Sequence, residues 1–108
     1  MSLLDRHVEN FNDGVRTGDW SPMLALMSAD VELEFVGIPI GPFKGRKAVE
    51  DAYRAQPPSD GLRVLEDRGD GTAVYAWLQD PERPAGELHI EERGDLISRL
   101  RILYEQFS

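Results

Sequence analysis

The sequence predicts an α+β domain in which three helices pack on one face of a curved, mainly antiparallel sheet. Before Pro57 and Pro58, apolar residues recur mainly at the three- and four-residue spacing of amphipathic helices. From Leu62 onward, apolar and polar residues alternate, which is the pattern of half-buried strands. Helices that precede a run of strands in this way segregate to one face of an antiparallel sheet.

Length and charge limit the possible functions. The 108 residues are enough for one hydrophobic core and too few for two, so residues 1–108 are expected to form one domain. The 20 acidic residues outnumber the 12 Lys and Arg, which gives a formal net charge of −8. A surface of that charge repels phosphate backbones and anionic lipids, so we expect neither nucleic acid nor membranes as partners.

The absence of Cys excludes disulfides, thiolate catalysis and zinc–sulfur sites. The first residues lack the basic and apolar regions of a signal peptide. The longest uncharged run, residues 20–29, is too short to span a bilayer. We therefore expect a cytoplasmic protein, and we expect no cofactor.

The spacing of apolar residues predicts the first two helices, and a glycine and a proline indicate where they end and begin. Four apolar residues at helical spacing indicate the first helix: Leu4, Val8, Phe11 and Val15. His7 is expected at the edge of this apolar face, and Gly18 ends the helix. A second, short helix is predicted over roughly residues 22–27, with Asp19 or Ser21 as its cap and Pro22 in its first turn.

The middle of the chain is predicted to hold one strand and one helix. Apolar and acidic residues alternate over residues 31–36, which predicts a strand. A loop dense in Gly and Pro follows at residues 37–45. The third helix ends at Pro57, and its buried face consists of Val49, Ala52 and Tyr53.

Two hairpins are predicted to close the fold. Segments 62–67 and 72–79 flank a turn at residues 68–71, and segments 86–92 and 96–105 flank a turn at residues 93–95. Segment 72–79 is apolar on both faces, with Val74, Ala76 and Leu78 on one and Ala73, Tyr75 and Trp77 on the other. Because three helices cover only one face, we expect a homodimer packed through the outer face.

No nucleotide-binding or hydrolase motif is present. GPFKGR lacks the Lys-Ser/Thr ending of a phosphate-binding loop, and the GxSxG of serine hydrolases is absent. Glu87, His89 and Glu91 share one face of a predicted strand and are metal-ligand types, but such a set is more often a solvated face. We therefore expect no metal site, and acid–base catalysis by Glu, Asp, His or Tyr is the chemistry that remains open.

The order of four segments resembles the nuclear transport factor 2-like superfamily: TGDW, SADVELEF, GPFKGRKAVEDAY and the two closing hairpins. The resemblance extends over essentially the whole chain and is greatest to the SnoaL-like and ketosteroid isomerase-like group. It implies a cone-shaped fold, whose curved sheet wraps a long helix around an apolar pocket, and frequent dimers. Functions in the superfamily range from isomerases, cyclases, dehydratases and epoxide hydrolases to domains without chemistry, so the site decides the function.

The resemblance also implies where a ketosteroid isomerase would keep its catalytic groups. Those enzymes need a Tyr on the first helix, a carboxylate base at the end of the first strand and a protonated carboxylic acid on a later strand. The helix position matches Phe11, and the later acid falls on or near Leu88, one residue from Glu87. The base falls on Glu34 or Phe35, and strand alternation turns Phe35 toward the helices and Glu34 outward. A complete isomerase set is therefore not expected.

An outward Glu34 is expected to form an ion pair with Arg99 or Arg101 and not to act as a general base. Tyr53, on the buried face of the third helix, is the better candidate for a polar group inside the pocket. A core tyrosine whose hydroxyl is already paired is nevertheless the commoner outcome.

These features favour a domain that binds a small apolar or aromatic molecule, with no catalytic residue assigned. The pocket mouth is expected to be lined by Phe11, Val15, Trp20, Leu33, Phe35, Tyr53, Leu88 and Leu100. The first alternative is an acid–base enzyme of the isomerase, cyclase or dehydratase type, acting on a steroid-like or polyketide-like substrate. An inward-facing carboxylate or His would favour it. The second alternative, a structural dimerisation module, would be favoured by a pocket filled with its own side chains.

Overall fold

The computed structural model describes residues 2–104 of the chain. Three helices lie in that range: α1 (Leu3–Thr17), α2 (Ser21–Ala25) and α3 (Arg46–Ala55). Its six strands are β1 (Met27–Val36), β2 (Phe43–Lys44), β3 (Leu62–Asp67), β4 (Thr72–Trp77), β5 (Gly86–Arg93) and β6 (Leu96–Tyr104). The predicted α+β fold class is confirmed. Over the same residues, no helix has both the length and the apolar composition needed to cross a bilayer.

The described strands form one open, curved sheet in the order β2-β1-β6-β5-β4-β3. Both predicted hairpins are present, β3 with β4 and β5 with β6, and every neighbouring pair but one is antiparallel. The exception is β1, which lies parallel to β6. This pairing brings the first long strand beside the last, so side chains that are far apart in sequence share one sheet face.

The start of β1 differs from the prediction. The strand begins at Met27, four residues before the predicted start at residue 31, and α2 accordingly ends at Ala25. Met27 pairs with Ile97 of β6, and the backbone N–H of Ile97 donates to the carbonyl of Leu26 at 2.8 Å. The partner strand thus extends β1 into residues whose local pattern predicts a helix.

Smaller differences occur elsewhere in the sheet. β4 ends at Trp77, two residues before the predicted end, and the next N–H, that of Leu78, donates to the carbonyl of Gly61 at 3.0 Å. The two-residue strand β2 is not predicted by the sequence pattern, and it pairs with β1 through Phe43. Glu105, the last residue of the final predicted strand, lies outside the described residues.

Helix α1 is held at both ends and at its middle. Ser2 accepts a hydrogen bond from the backbone N–H of Asp5, whose carboxylate accepts one in return from Ser2. Gly18 ends the helix with a φ of 81°, a conformation that glycine adopts without strain. In the middle, Asn12 Nδ2 donates to the carbonyl of Leu62 at 2.9 Å while its Oδ1 accepts from the Leu62 N–H at 2.8 Å. This two-way bond to β3 fixes which face of α1 meets the sheet.

Candidate functional site

A cavity of about 740 Å³ lies between the sheet, α1, α3 and the loop at residues 37–42. Its aromatic lining residues are Phe11, Phe35, Phe43, Tyr53, Tyr75, Trp77 and Tyr104. Its larger aliphatic lining residues are Ile38, Ile40, Leu62, Leu88 and Ile102. The exposed polar residues Gln56, Ser59 and Gln79 mark its mouth, together with the half-buried Asp60. None of the described lining residues is Lys or Arg.

Strand register builds the sheet side of the cavity as two cross-strand rows. In the first row, Phe35 lies opposite Ile102, and Ile102 lies opposite Leu88. In the second row, Gly86 stands between Tyr75 and Tyr104. A Cβ on Gly86 would lie 3.1 Å from Cε1 of Tyr75, so the glycine leaves room for that ring over the strand.

Four of the eight predicted lining residues do line the cavity: Phe11, Phe35, Tyr53 and Leu88. They come from α1, β1, α3 and β5, and the fold brings them together around one space. Phe11 and Tyr53 meet edge to face, with ring centroids 6.3 Å apart. A role of these residues in ligand binding stays a prediction.

The other four predicted residues lie outside the cavity wall. Leu33 and Leu100 pair with each other one row further into the sheet than Phe35 and Ile102, and both are fully buried in the core. That row is filled by side chains, so the cavity ends before it.

Trp20 and Val15 pack against the core outside the cavity lining. The indole of Trp20 covers Gly14, where a side chain would collide with it, and it stacks on the far side of Tyr53 at 5.0 Å between ring centroids. Trp20 therefore supports the cavity wall from behind. Val15 is half-buried and packs against the core one turn beyond Phe11. Placing these two at the pocket mouth was wrong.

His7 also differs from its predicted place. Its side chain is 3% exposed and lines the cavity, where the sequence pattern put it at the edge of the apolar face. Position 7 is three residues after Leu4 and four before Phe11, so helical geometry places it on the same stripe as those two. The spacing of the sequence was therefore enough to place His7 on the buried face of α1.

The buried polar groups of the cavity are held in their neutral forms. Burial lowers the pKa of His7 from 6.5 to about 4, so its imidazole is uncharged at pH 7. Burial also raises the pKa of Tyr53 and of Tyr75 well above the usual value for a phenol. At pH 7 the wall therefore contains a neutral imidazole and protonated hydroxyls, and Nδ1 of His7 and the hydroxyl oxygens of Tyr53 and Tyr75 are buried.

Glu34 faces the opposite side of the sheet from Phe35, as predicted. Its Oε1 accepts a hydrogen bond from Nε of Arg101 at 2.7 Å, and the two residues are register partners in the β1–β6 pair. The predicted ion pair with Arg99 or Arg101 is confirmed, and the partner is Arg101. Since Glu34 does not face the cavity, it cannot reach the proton of a ligand bound there.

The other acidic candidates lie on the same outer face. Glu87 Oε1 accepts from Nη1 of Arg68 at 3.2 Å and lies 2.9 Å from Nε2 of His89. Glu91 pairs with Arg99 at 3.3 Å. Within residues 2–104, no cluster of three or more His, Cys, Asp or Glu is arranged to hold a metal ion. The positions where an isomerase would keep its catalytic groups are therefore apolar inside the cavity, and the neighbouring carboxylates face away from it.

No protein-family model matches the chain, and no curated protein matches it. Solved structures do match. A protein from Sphaerobacter thermophilus is similar with a TM-score of 0.69, at 24% sequence identity and over 99% of both chains. A nuclear transport factor 2-like protein from Anabaena variabilis gives a TM-score of 0.63 at 20% identity, over 97% of this chain and 88% of the other. A Mycobacterium tuberculosis protein in complex with estradiol-17beta-hemisuccinate gives a TM-score of 0.65 at 16% identity. The match covers 97% of this chain and 95% of the other.

These similarities concern the fold, because every identity is below 25%. The same fold supports unrelated functions, so the function has to be argued from the cavity. At the level of the fold, the similarity expected from the sequence is confirmed: the chain has the nuclear transport factor 2-like fold.

Proposed function

We propose that the chain binds a small apolar or aromatic molecule in the cavity between α1, α3 and the sheet. The main support is the combination of size and lining. About 740 Å³ lies within the range of ~300–1,000 Å³ that is typical of small-molecule sites. Aromatic and aliphatic side chains make up most of the wall, so transfer of an apolar ligand from water would be favourable by roughly 25 cal/mol per Å² before the costs of binding.

The ligand class follows from shape and charge. Steroid-like, polyketide-like or other aromatic compounds match a wall of this kind, and one structure of the same fold holds estradiol-17beta-hemisuccinate. Nucleotides and sugar phosphates do not, because the described lining provides no Lys or Arg to pair with a phosphate.

A thermal-shift screen tests this proposal. Neutral steroids and naphthalenes should raise the unfolding temperature, whereas ATP and glucose 6-phosphate should not, because ligand binding to the folded state alone stabilises it. Phe35→Ala, which removes a ring from the wall, should reduce the shift, and Glu34→Gln on the outer face should leave it unchanged. Stabilisation by the phosphorylated compounds alone would refute the proposal.

An acid–base enzyme is the second candidate, and His7 is the observation that favours it. A histidine in the cavity could take a proton from carbon next to a ligand carbonyl. A pKa of about 4 makes its imidazole a weak base at pH 7, which is why binding ranks first. The wild type can be tested for incorporation of solvent deuterium at the carbon beside the carbonyl of a bound ketone. Incorporation that is lost in His7→Gln would rank the enzyme above the binding domain. Equal incorporation with the wild type, the variant and buffer would remove the enzyme candidate.

A purely structural dimerisation module is the least supported function, because side chains leave the cavity unfilled.

Homodimerisation itself remains part of the proposal. Val74 and Leu103 line a groove on the outer face, where Glu66, Arg68 and Glu87 also lie. Apolar side chains on that face would be covered by a second copy of the chain.

A further inference from the structure

Asp60 is the charged side chain at the mouth of the cavity. The described lining contains no Lys or Arg, no other Asp and no Glu. His7 is also in the lining, and it is neutral at pH 7 because burial lowers its pKa to about 4. Asp60 is half-buried, and its hydrogen bond with the backbone of Gln79 lies at the surface. The entrance of an otherwise apolar cavity therefore carries one accessible negative charge.

The pairing of β3 with β4 sets the direction in which Asp60 points. Leu62 and Trp77 are register partners, and both line the cavity. Two residues beyond them, the backbone N–H of Gln79 donates to Oδ2 of Asp60 at 2.9 Å. A backbone hydrogen bond of 3.0 Å joins the residues in between, so the register continues to the mouth. Side chains two residues apart in a strand share a face, which puts Asp60 and Gln79 on the cavity side.

We propose that the cavity selects apolar molecules that carry a positively charged amine, with the amine at the mouth and Asp60 as its counter-ion. The inference rests on the proposed function, because it requires the apolar part of the ligand to occupy the cavity. A protonated amine donates hydrogen bonds to a carboxylate, and such charge-assisted bonds are stronger than those between neutral groups.

Two further features favour a cation at this place. Trp77 lies in the lining two residues before Gln79 on the same strand face, and the face of an indole ring attracts cations more strongly than other aromatic side chains do. The formal net charge of −8 attracts cations to the protein over longer distances. An anion, in contrast, would approach the carboxylate of Asp60 without a Lys or Arg in the described lining to pair with it.

Calorimetric titration at pH 7 with three naphthalenes tests the inference. The probes are 2-naphthylmethylamine, which is a cation, 2-naphthylmethanol, which is neutral and has nearly the same shape, and the anion 2-naphthoate. The quantity compared is the ratio of the affinity for the amine to the affinity for the alcohol, because the apolar body common to both cancels in it. Asp60→Asn should lower this ratio roughly three- to thirtyfold, as expected for loss of a hydrogen-bonded ion pair at a partly exposed site. The oxygen of the Asn side chain can still accept from the Gln79 N–H, so the local backbone is preserved.

Asp80→Asn is the matched control. It removes the same charge from an exposed residue next to Gln79 that is not in the described lining. The ratio should stay within about twofold of the wild-type value, because a more distant, exposed charge is screened by salt. An equal fall of the ratio in Asp60→Asn and Asp80→Asn would assign the effect to the net charge of the protein and would overturn the inference.

A measurement on the wild type alone keeps the inference testable if Asp60→Asn does not fold. The backbone amide of Gln79 reports on the carboxylate, because its N–H donates to Oδ2 of Asp60. The NMR signal of this amide should shift further on binding of the amine than on binding of the alcohol. Equal shifts with both compounds would mean that the ammonium does not reach Asp60, and the inference would be wrong.

The failure of this inference can be told apart from the failure of the proposed function. If the alcohol binds and the amine has no advantage that depends on Asp60, this inference alone fails. Tighter binding of 2-naphthoate than of the amine would also overturn this inference alone. If none of the three naphthalenes binds, the proposed function fails, and this inference fails with it.

Discussion

Replacing His7 with Gln should flatten the dependence of stability on pH between 7 and 5. In the unfolded chain His7 titrates near 6.5, and in the folded protein burial lowers its pKa to about 4. Between those values the unfolded chain binds a proton that the folded chain does not. The stability that the neutral imidazole of His7 contributes is therefore present above about pH 6.5 and is lost as the pH decreases toward 4.

The size of the effect follows from the two pKa values. Integration of the proton-binding difference gives a loss of about 2 kcal/mol between pH 7 and pH 5 for this one residue. Carboxylates with a lowered pKa, such as Asp30 and Asp70, act mainly below that window because their ordinary value is 3.8. Their contribution is also shared by wild type and variant, so it cancels in the comparison.

Urea unfolding at pH 7 and at pH 5 measures the difference directly. Wild type should lose about 2 kcal/mol more than His7→Gln over this interval. Tyr75→Phe, which removes a polar group of the same cavity that does not titrate in this range, should keep the wild-type slope. Equal losses in wild type and His7→Gln would mean that His7 becomes protonated in the folded protein, and the buried, neutral imidazole would be refuted.

The remaining predictions concern the outer face, the sheet and the assembly. Glu34→Gln should change the free energy of unfolding by no more than about 1 kcal/mol, as for a partly exposed ion pair, and a larger loss would assign Glu34 a structural role. Gly86→Ala should destabilise the fold by about 1–3 kcal/mol, because its Cβ would collide with the carbonyl of Leu103 and press on Tyr75. Unchanged urea unfolding of Gly86→Ala would contradict the register of the second cavity row. Light scattering at micromolar concentration should give twice the chain mass of 12.2 kDa, and a monomer would rule out the homodimer.

Local sequence patterns predicted most of the fold. The helical spacing of α1, the alternation in β5 and β6 and the Gly-containing turns each depend on neighbouring residues, and they identify the element from sequence alone. The parallel pairing of β1 with β6 depends on contacts between residues about 70 positions apart, such as Glu34 with Arg101. Because that pairing also extends β1 back to Met27, the same missing information accounts for the error at the end of α2.

The site was predicted in part for similar reasons. Alternation along a strand correctly turned Phe35 inward and Glu34 outward. It cannot tell how deep along the strand the cavity reaches, so Leu33, one row into the core, was placed in the pocket by the same rule. Likewise, the contact of Trp20 with Gly14 decides whether the indole enters the cavity or packs behind it, and that contact depends on the turn between α1 and α2.

Methyl NMR spectra recorded during titration with 2-acetylnaphthalene test the central claim most directly. Leu88 and Ile102 point into the cavity, whereas Val74 and Leu103 line the groove on the outer face. If the cavity is the binding site, the methyl signals of Leu88 and Ile102 should shift with the ligand and those of Val74 and Leu103 should not. Shifts confined to Val74 and Leu103, or no shifts up to the solubility limit of the probe, would contradict the account.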